Sequence, residues 1–354
     1  MRELYTAISH TLDEIDFSAI WPGFHRFPFA LYDDSAVYLE NRTLPYDNRF
    51  LGNTAIEMDG EIIAIWYTDD PRAEDIQQLA SNMVHEMFHA YQKSQEEKRF
   101  PNDLVFLNYP SNLENYRLRH LENKLLAEAY CAKASAEKSA LLAQFSSIRK
   151  RRESLIGSAI NQEFLSETIE GIAEYVGSLA LKQLSKPRYE KLIDGYLQNL
   201  TALDDSIFNI RQSLYYSGAI FLLLLQNLGI NFFHSLKNEN TALYPLVYKL
   251  LPTNTHFQPN TAPPLVTELY LRHVALREKQ FADFLNTHTN ATNFEGFICG
   301  YDPMNMLRQN NMILCTHFIM LKNETMPDPL FLQGPVLVNL KGESDNQVCS
   351  YIRQ

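Results

Sequence analysis

His85-Glu86-Met87-Phe88-His89 is the part of this 354-residue chain whose residue types and spacing most directly imply chemistry. Residues four apart on an α-helix share a face, so both imidazoles can reach one metal ion. Zinc takes such nitrogen ligands at about 2.0–2.1 Å, and in catalytic sites it keeps one position open beside three protein ligands. Glu86, adjacent to the first histidine, is placed to accept a proton from a metal-activated water without itself ligating. Met83, Val84, Met87 and Phe88 surround the pattern, which makes this helix a buried one. Two histidines and a glutamate inside a core need partners, and a metal ion would supply them. The competing reading is an amphipathic helix whose histidines are satisfied internally, since a five-residue pattern also arises by chance.

A third ligand is expected further along the chain. Residues 167–177 read ETIEGIAEYVG, with Glu167, Glu170 and Glu174 on one helical face and Ile169, Ile172, Ala173 and Val176 on the other. Three carboxylates on one stripe suit a metal, although such a stripe taken alone is more often a solvated face. Glu122 and Glu128 are nearer to His89 in sequence and remain competing ligands. The extended metzincin pattern is excluded, because Gln92 and Gln95 stand where it would have Gly and His. His25, His120, His234 and His256 show no ligand spacing.

Together these segments resemble the gluzincins, the thermolysin-like and aminopeptidase-N-like zinc peptidases, whose third ligand lies in an N-E-G-x-A-x-Y type segment. Glu170-Gly171-Ile172-Ala173-Glu174-Tyr175 matches that pattern. The resemblance implies Glu170 as the third ligand to a zinc ion and Glu174 as the acceptor for the outer ring N–H of His85. The long separation of His89 from Glu170 departs from the family and implies inserted helices. Residues 214–229, LYYSGAIFLLLLQNLG, are similar to the family's Y-x-x-G-A segment. That likeness implies Tyr215, with Tyr216 as the fallback, as donor to the transition-state oxyanion; the plain alternative is two tyrosines packing one end of an apolar helix. Residues 54–60, TAIEMDG, partly resemble the G-A-M-E-N element and imply Glu57 as a ligand for a substrate amine. The leading glycine and following asparagine of that element are missing, and an exposed strand glutamate is the plainer explanation of Glu57. The resemblance spans roughly residues 50–235 and implies a zinc-dependent peptidase acting on a peptide or protein substrate. The alternative function is a catalytically inactive zincin-like scaffold for binding or regulation.

The elements that must position these groups follow from periodicity and turn chemistry. Residues 1–70 read as β-rich, with Asp59-Gly60 as a hairpin turn. Asp70-Pro71 reads as a helix start, and Ile76, Leu79, Met83, Met87 and Tyr91 then fall at helical spacing. Further helices are expected at about 112–149, 160–186, 188–202 and 207–228. A Pro-, Thr- and Asn-rich loop follows at 253–264, then one more helix, then strands from about residue 290. The expected fold class is α+β: a zincin-like catalytic core with a small N-terminal sheet (1–70), a mainly helical lobe (71–288) and a C-terminal β subdomain (289–354).

Charge narrows the partners. Lys and Arg total 31 against 42 Asp and Glu, and a net charge of −11 disfavours nucleic acid and anionic membranes. The longest apolar run, Ala219 to Leu225, is far short of the ~18 residues of a membrane span. No basic stretch followed by an apolar one opens the chain, so a cytoplasmic protein is expected, with its four cysteines as free thiols. Nothing in the sequence speaks to oligomeric state.

Overall fold

The computed structural model describes residues 1–68, 75–236, 240–251 and 262–353. The N-terminal part, expected to be β-rich, opens instead on a helix, α1 (Arg2–Asp13), followed by the short α2 (Phe17–Ile20). Tyr5, Ile8 and Leu12 recur at helical spacing and are buried. Five strands follow: β1 (Phe29–Tyr32), β2 (Ala36–Tyr38), β3 (Thr43–Pro45), β4 (Thr54–Met58) and β5 (Glu61–Tyr67). They form one sheet in the order β3-β2-β1-β5-β4. β1 and β5 are parallel and the other neighbours antiparallel. Asp59 and Gly60 have φ of 55° and 84°. That left-handed pair is what a two-residue hairpin turn needs, and it sets β4 at the sheet edge.

Next comes the helix that carries the histidines, α3 (Ile76–Ser94). The expected start at Asp70-Pro71 lies outside the described residues; the cap is Asp75, whose side chain accepts from the Gln77 and Gln78 N–H groups at 3.1 and 3.2 Å. Met83, Val84, Met87 and Phe88 are buried in the main core, each contributing ~1.5–3 kcal/mol relative to exposure. The helical lobe continues through α4 (Asp103–Phe106), α5 (Leu113–Cys131), α6 (Ser135–Ile156) and α7 (Ile160–Ser166). The helix expected over 112–149 is therefore two. Then come α8 (Ile172–Leu184), α9 (Lys186–Thr201), α10 (Ile210–Asn227), the short α11 (Phe233–Leu236) and α12 (Leu243–Val247), and α13 (Leu265–Thr287). Most of the expected loop at 253–264 lies outside the described residues.

Two glycine contacts set how closely these helices approach. A Cβ on Gly177 of α8 would stand 3.0 Å from the Ser81 carbonyl of α3, and the Ser81 hydroxyl donates to the Gly177 carbonyl at 2.9 Å. Gly171 and Gly218 meet backbone to backbone, a Cβ on either lying 2.6 Å from the other's Cα. No side chain fits between them, so the segment before α8 lies directly against α10.

α7 and α8 are joined by one π-helical turn, Glu167–Gly171. It packs beside a buried ionic network in which Arg119, Arg149 and Arg152 balance Glu122, Glu163 and Glu167. Arg149 donates to Glu122 at 2.6 and 2.8 Å and to Glu167 at 2.7 and 2.8 Å. Arg152 donates to Glu122 at 2.7 Å and to Glu163, and Arg119 also pairs with Glu163. Burial works against the Glu163 charge, but Arg152 and Arg119 outweigh it and bring its pKa from 4.5 to about 2. Because the folded-state value is depressed, this carboxylate stabilises the fold above pH 4.5, and that stabilisation is lost as pH falls toward about 2. The thermal midpoint should therefore drop across that window, with a shallower slope in Glu163→Gln. Equal slopes for the two proteins in pH-dependent melts would contradict this reading.

The C-terminal segment is a seven-stranded antiparallel sheet of β6 (Ala291–Tyr301), β7 (Met306–Gln309), β8 (Met312–Cys315), β9 (Phe318–Lys322), β10 (Leu330–Gln333), β11 (Val336–Leu340) and β12 (Gln347–Arg353). Ile313, Ile319, Val336 and Val338 form one apolar cluster that also takes in Leu104 of α4. Leu314, Leu337 and Ile352 pack on Phe281 and Phe284 of α13. The sheet is thus fastened to the helical lobe on two sides. The four cysteines are free, and no described helix is long and apolar enough to cross a membrane.

Candidate metal centre

His85 and His89 lie on the buried face of α3, and the π turn carries Glu170 up to them. The two Nε2 atoms are 3.1 Å apart; Glu170 Oε2 lies 3.1 Å from His89 Nε2 and 3.6 Å from His85 Nε2. Each ring is oriented from behind. His85 Nδ1 donates to Glu174 Oε2 at 2.8 Å, and Tyr196 of α9 donates to the other oxygen of Glu174. His89 Nδ1 donates to Gln92 Oε1 at 2.8 Å, while Gln92 Nε2 donates to the Ile169 carbonyl of the π turn at 3.1 Å. Both Nδ1 protons are thereby engaged, and both Nε2 lone pairs converge on one point with a carboxylate oxygen.

Such a cluster repels itself unless a cation or a proton sits within it. Ligands about 2.05 Å from a tetrahedral ion stand about 3.3 Å apart, the spacing seen here to within a few tenths of an ångström. His85, His89 and Glu170 are the group of described residues whose ligand atoms all lie within 4.8 Å of one another. Burial opposes charge on all three. It pushes both imidazoles down, but the Glu170 and Glu174 carboxylates raise His85 and the Glu170 carboxylate raises His89. The histidines in turn hold Glu170 well below the usual carboxylate range.

Glu86 is buried beside this cluster, and its Oε2 is a buried atom with no hydrogen-bond partner among the described residues. Burial raises its pKa, an effect the neighbouring histidines partly offset. Tyr215 stacks over His85 with ring centroids 5.9 Å apart and planes 6° from parallel. Burial, then the Glu170 charge, keep its hydroxyl protonated and able to donate. Tyr216 instead stacks on Tyr196 at 4.9 Å, away from the histidines.

Four expected carboxylates fall elsewhere. Glu167 turns to Arg149 and Ser217, because the wide π turn rotates it off the stripe that Glu170 and Glu174 share. Glu122 is enclosed by Arg149 and Arg152. Glu128 is exposed and pairs with Lys124 at 3.8 Å. Glu57 is exposed on β4, on the same strand face as the buried Ala55.

Four residues of the site were not anticipated. Gln92 follows His89 by three positions on α3, a spacing that would have revealed it. Arg211, one turn before Tyr215, pairs with Asp103 and brings Nη2 to 3.7 Å from Glu170 Oε1. Lys93 donates to the Ala55 carbonyl of β4 and is attracted by Glu86. Tyr196 carried no sequence signal, since only the packing of α9 on α8 brings it to Glu174.

No protein-family model, no curated protein and no solved structure matches this chain. The centre therefore stands on its own geometry.

Proposed function

We propose that this chain is a zinc-dependent peptidase with His85, His89 and Glu170 as metal ligands and Glu86 as general base. The observation that carries the reading is the convergence of two oriented imidazole lone pairs and a carboxylate beside a glutamate oxygen that has no hydrogen-bond partner among the described residues. A zinc ion held there would supply Lewis acidity, acidifying water and polarising a substrate carbonyl. Glu86 takes a proton from the attacking water and returns it to the leaving amine; its burial-raised pKa brings it nearer the range such a shuttle needs. The Tyr215 hydroxyl donates to the oxyanion that forms on the carbonyl. Glu174, held by Tyr196, and Gln92 keep the histidine rings in register.

The sheet edge favours a peptide as substrate. Ala64 of β5 donates its N–H to Pro28 on the β1 side at 3.0 Å, so its partner Ala55 on β4 turns its backbone groups outward. Lys93 binds that carbonyl and feels the charge of Glu86, which puts the β4 edge within one side chain of the base. An extended peptide could add to this edge as a further strand. The glycine and asparagine of the amine-binding element are missing around Glu57, which lies exposed on β4, so N-terminally free and acetylated peptides should be cleaved alike. An inactive scaffold would not need an unpartnered base beside a complete ligand set.

Purified protein should contain about one zinc per chain and cleave a mixed peptide library. A chelator should abolish cleavage, and added zinc should restore it. Zinc-loaded protein that cleaves no peptide would favour the scaffold.

A further inference from the structure

Between α10, α13 and the C-terminal sheet lies a cavity of about 320 Å³ that neither the ligand set nor the base explains. Arg211 lines it, and the same guanidinium reaches to 3.7 Å from Glu170 Oε1. One side chain thus touches both the cavity and a carboxylate of the metal centre. Arg277 of α13 also lines it.

Every other charge facing the cavity has a counter-charge. Asp103 pairs with Arg211, Asp205 with Arg272 at 2.7 Å, and Arg308 with Asp345 at 2.6 Å. Arg277 has no ion-pair partner among the described residues; its one hydrogen bond given by the structure goes to the Arg308 carbonyl. Five N–H donors make a guanidinium a fork for carboxylates, and one bond leaves most of that capacity unused. Its positive charge acts on two groups that line the same cavity, Tyr116 and His273. Burial, then Arg277, lower the His273 pKa, so its ring is a neutral hydrogen-bonding group, stacked on Phe208 at 4.2 Å. A half-buried guanidinium with no ion-pair partner among the described residues, flanked by such groups, has the donors an anion needs. Arg308 of β7 lines the cavity too, which gives the C-terminal sheet a part in the site.

We propose that this cavity is a carboxylate-recognition subsite in which Arg277 selects peptides bearing an acidic side chain or a free C-terminus close to the scissile bond. This rests on the peptidase reading above. Arg277 and Arg211 line the same 320 Å³ cavity and Arg211 reaches Glu170, so the proposal places a carboxylate at Arg277 and a scissile carbonyl at the metal on one short stretch of substrate.

The test uses three mixed-sequence libraries of fluorescent octapeptides: Glu-containing with an amidated end, Glu-free with a free carboxylate end, and Glu-free with an amidated end. Binding is measured by polarisation to zinc-loaded Glu86→Gln protein, and cleavage with the wild type. One of the first two libraries should bind about ten- to a hundredfold more tightly than the third, as a charge-assisted pair requires. Preference for the first identifies an acidic side chain, and preference for the second a terminal carboxylate. Arg277→Met in the same background should erase the difference at unchanged zinc content; Arg277→Lys should keep part of it. Equal binding of all three libraries, or a preference that survives Arg277→Met, overturns the subsite. A preference that depends on Arg277 without any wild-type cleavage would support the subsite and remove the peptidase reading instead.

Discussion

Replacing Glu86 with Gln is expected to lower peptide hydrolysis by about 10²–10⁴-fold while leaving zinc content and the thermal midpoint nearly unchanged. The reason is where its side chain stands. Glu86 is buried next to the histidines, yet its Oε2 bonds to nothing among the described residues, so the exchange removes no described hydrogen bond of that atom. A neutral amide is also less costly to bury than a carboxylate. What disappears is the ability to accept and return a proton. Turnover numbers and zinc analysis on the two proteins decide the matter. Retained hydrolysis would remove Glu86 as base, and lost zinc would make it a ligand.

A pair of substitutions separates the metal ligand from the structural carboxylates. Glu170→Gln should weaken zinc binding by more than about a hundredfold, since it takes a negative ligand from the point where both Nε2 atoms converge. Glu122→Gln should leave zinc affinity intact and instead destabilise the fold by about 3–5 kcal/mol, because Arg149 and Arg152 lose a shared carboxylate inside the core. Zinc titrations and denaturant unfolding read the two effects independently. The opposite pattern, zinc lost with Glu122 and kept with Glu170, would move the third ligand.

Local features of the fold were legible where one turn of backbone decides them. Asp59-Gly60 marks its hairpin because few other residues tolerate two successive left-handed φ values. The course of α3 follows from apolar residues three and four apart, and the C-terminal strands from short β-branched runs between turn formers. α1 is harder to read although Tyr5, Ile8 and Leu12 have the right period, because the aromatic stretches that follow give the first 70 residues a β-rich texture. The break between α5 and α6 leaves no local signal either. Ala132–Ala134 contains neither glycine nor proline to announce it.

By itself, the sequence determined that His85 and His89 share a helix face, that Glu86 sits beside them, and that Glu170 and Glu174 stand one turn apart. These are consequences of helical pitch and need no knowledge of the rest of the chain. Which glutamate reaches the histidines was decided only by the tertiary structure. Glu122, Glu163, Glu167 and Glu170 look alike as residues, and their fates depend on where a buried carboxylate finds its counter-charge. Three arginines on α5 and α6 capture the first three, and the π turn then presents Glu170 to α3. Tyr215 comes to His85 by the same route, through the backbone contact of Gly171 with Gly218. Periodicity is written within one element, whereas a site shared by α3, the π turn and α10 depends on how closely those elements can pack.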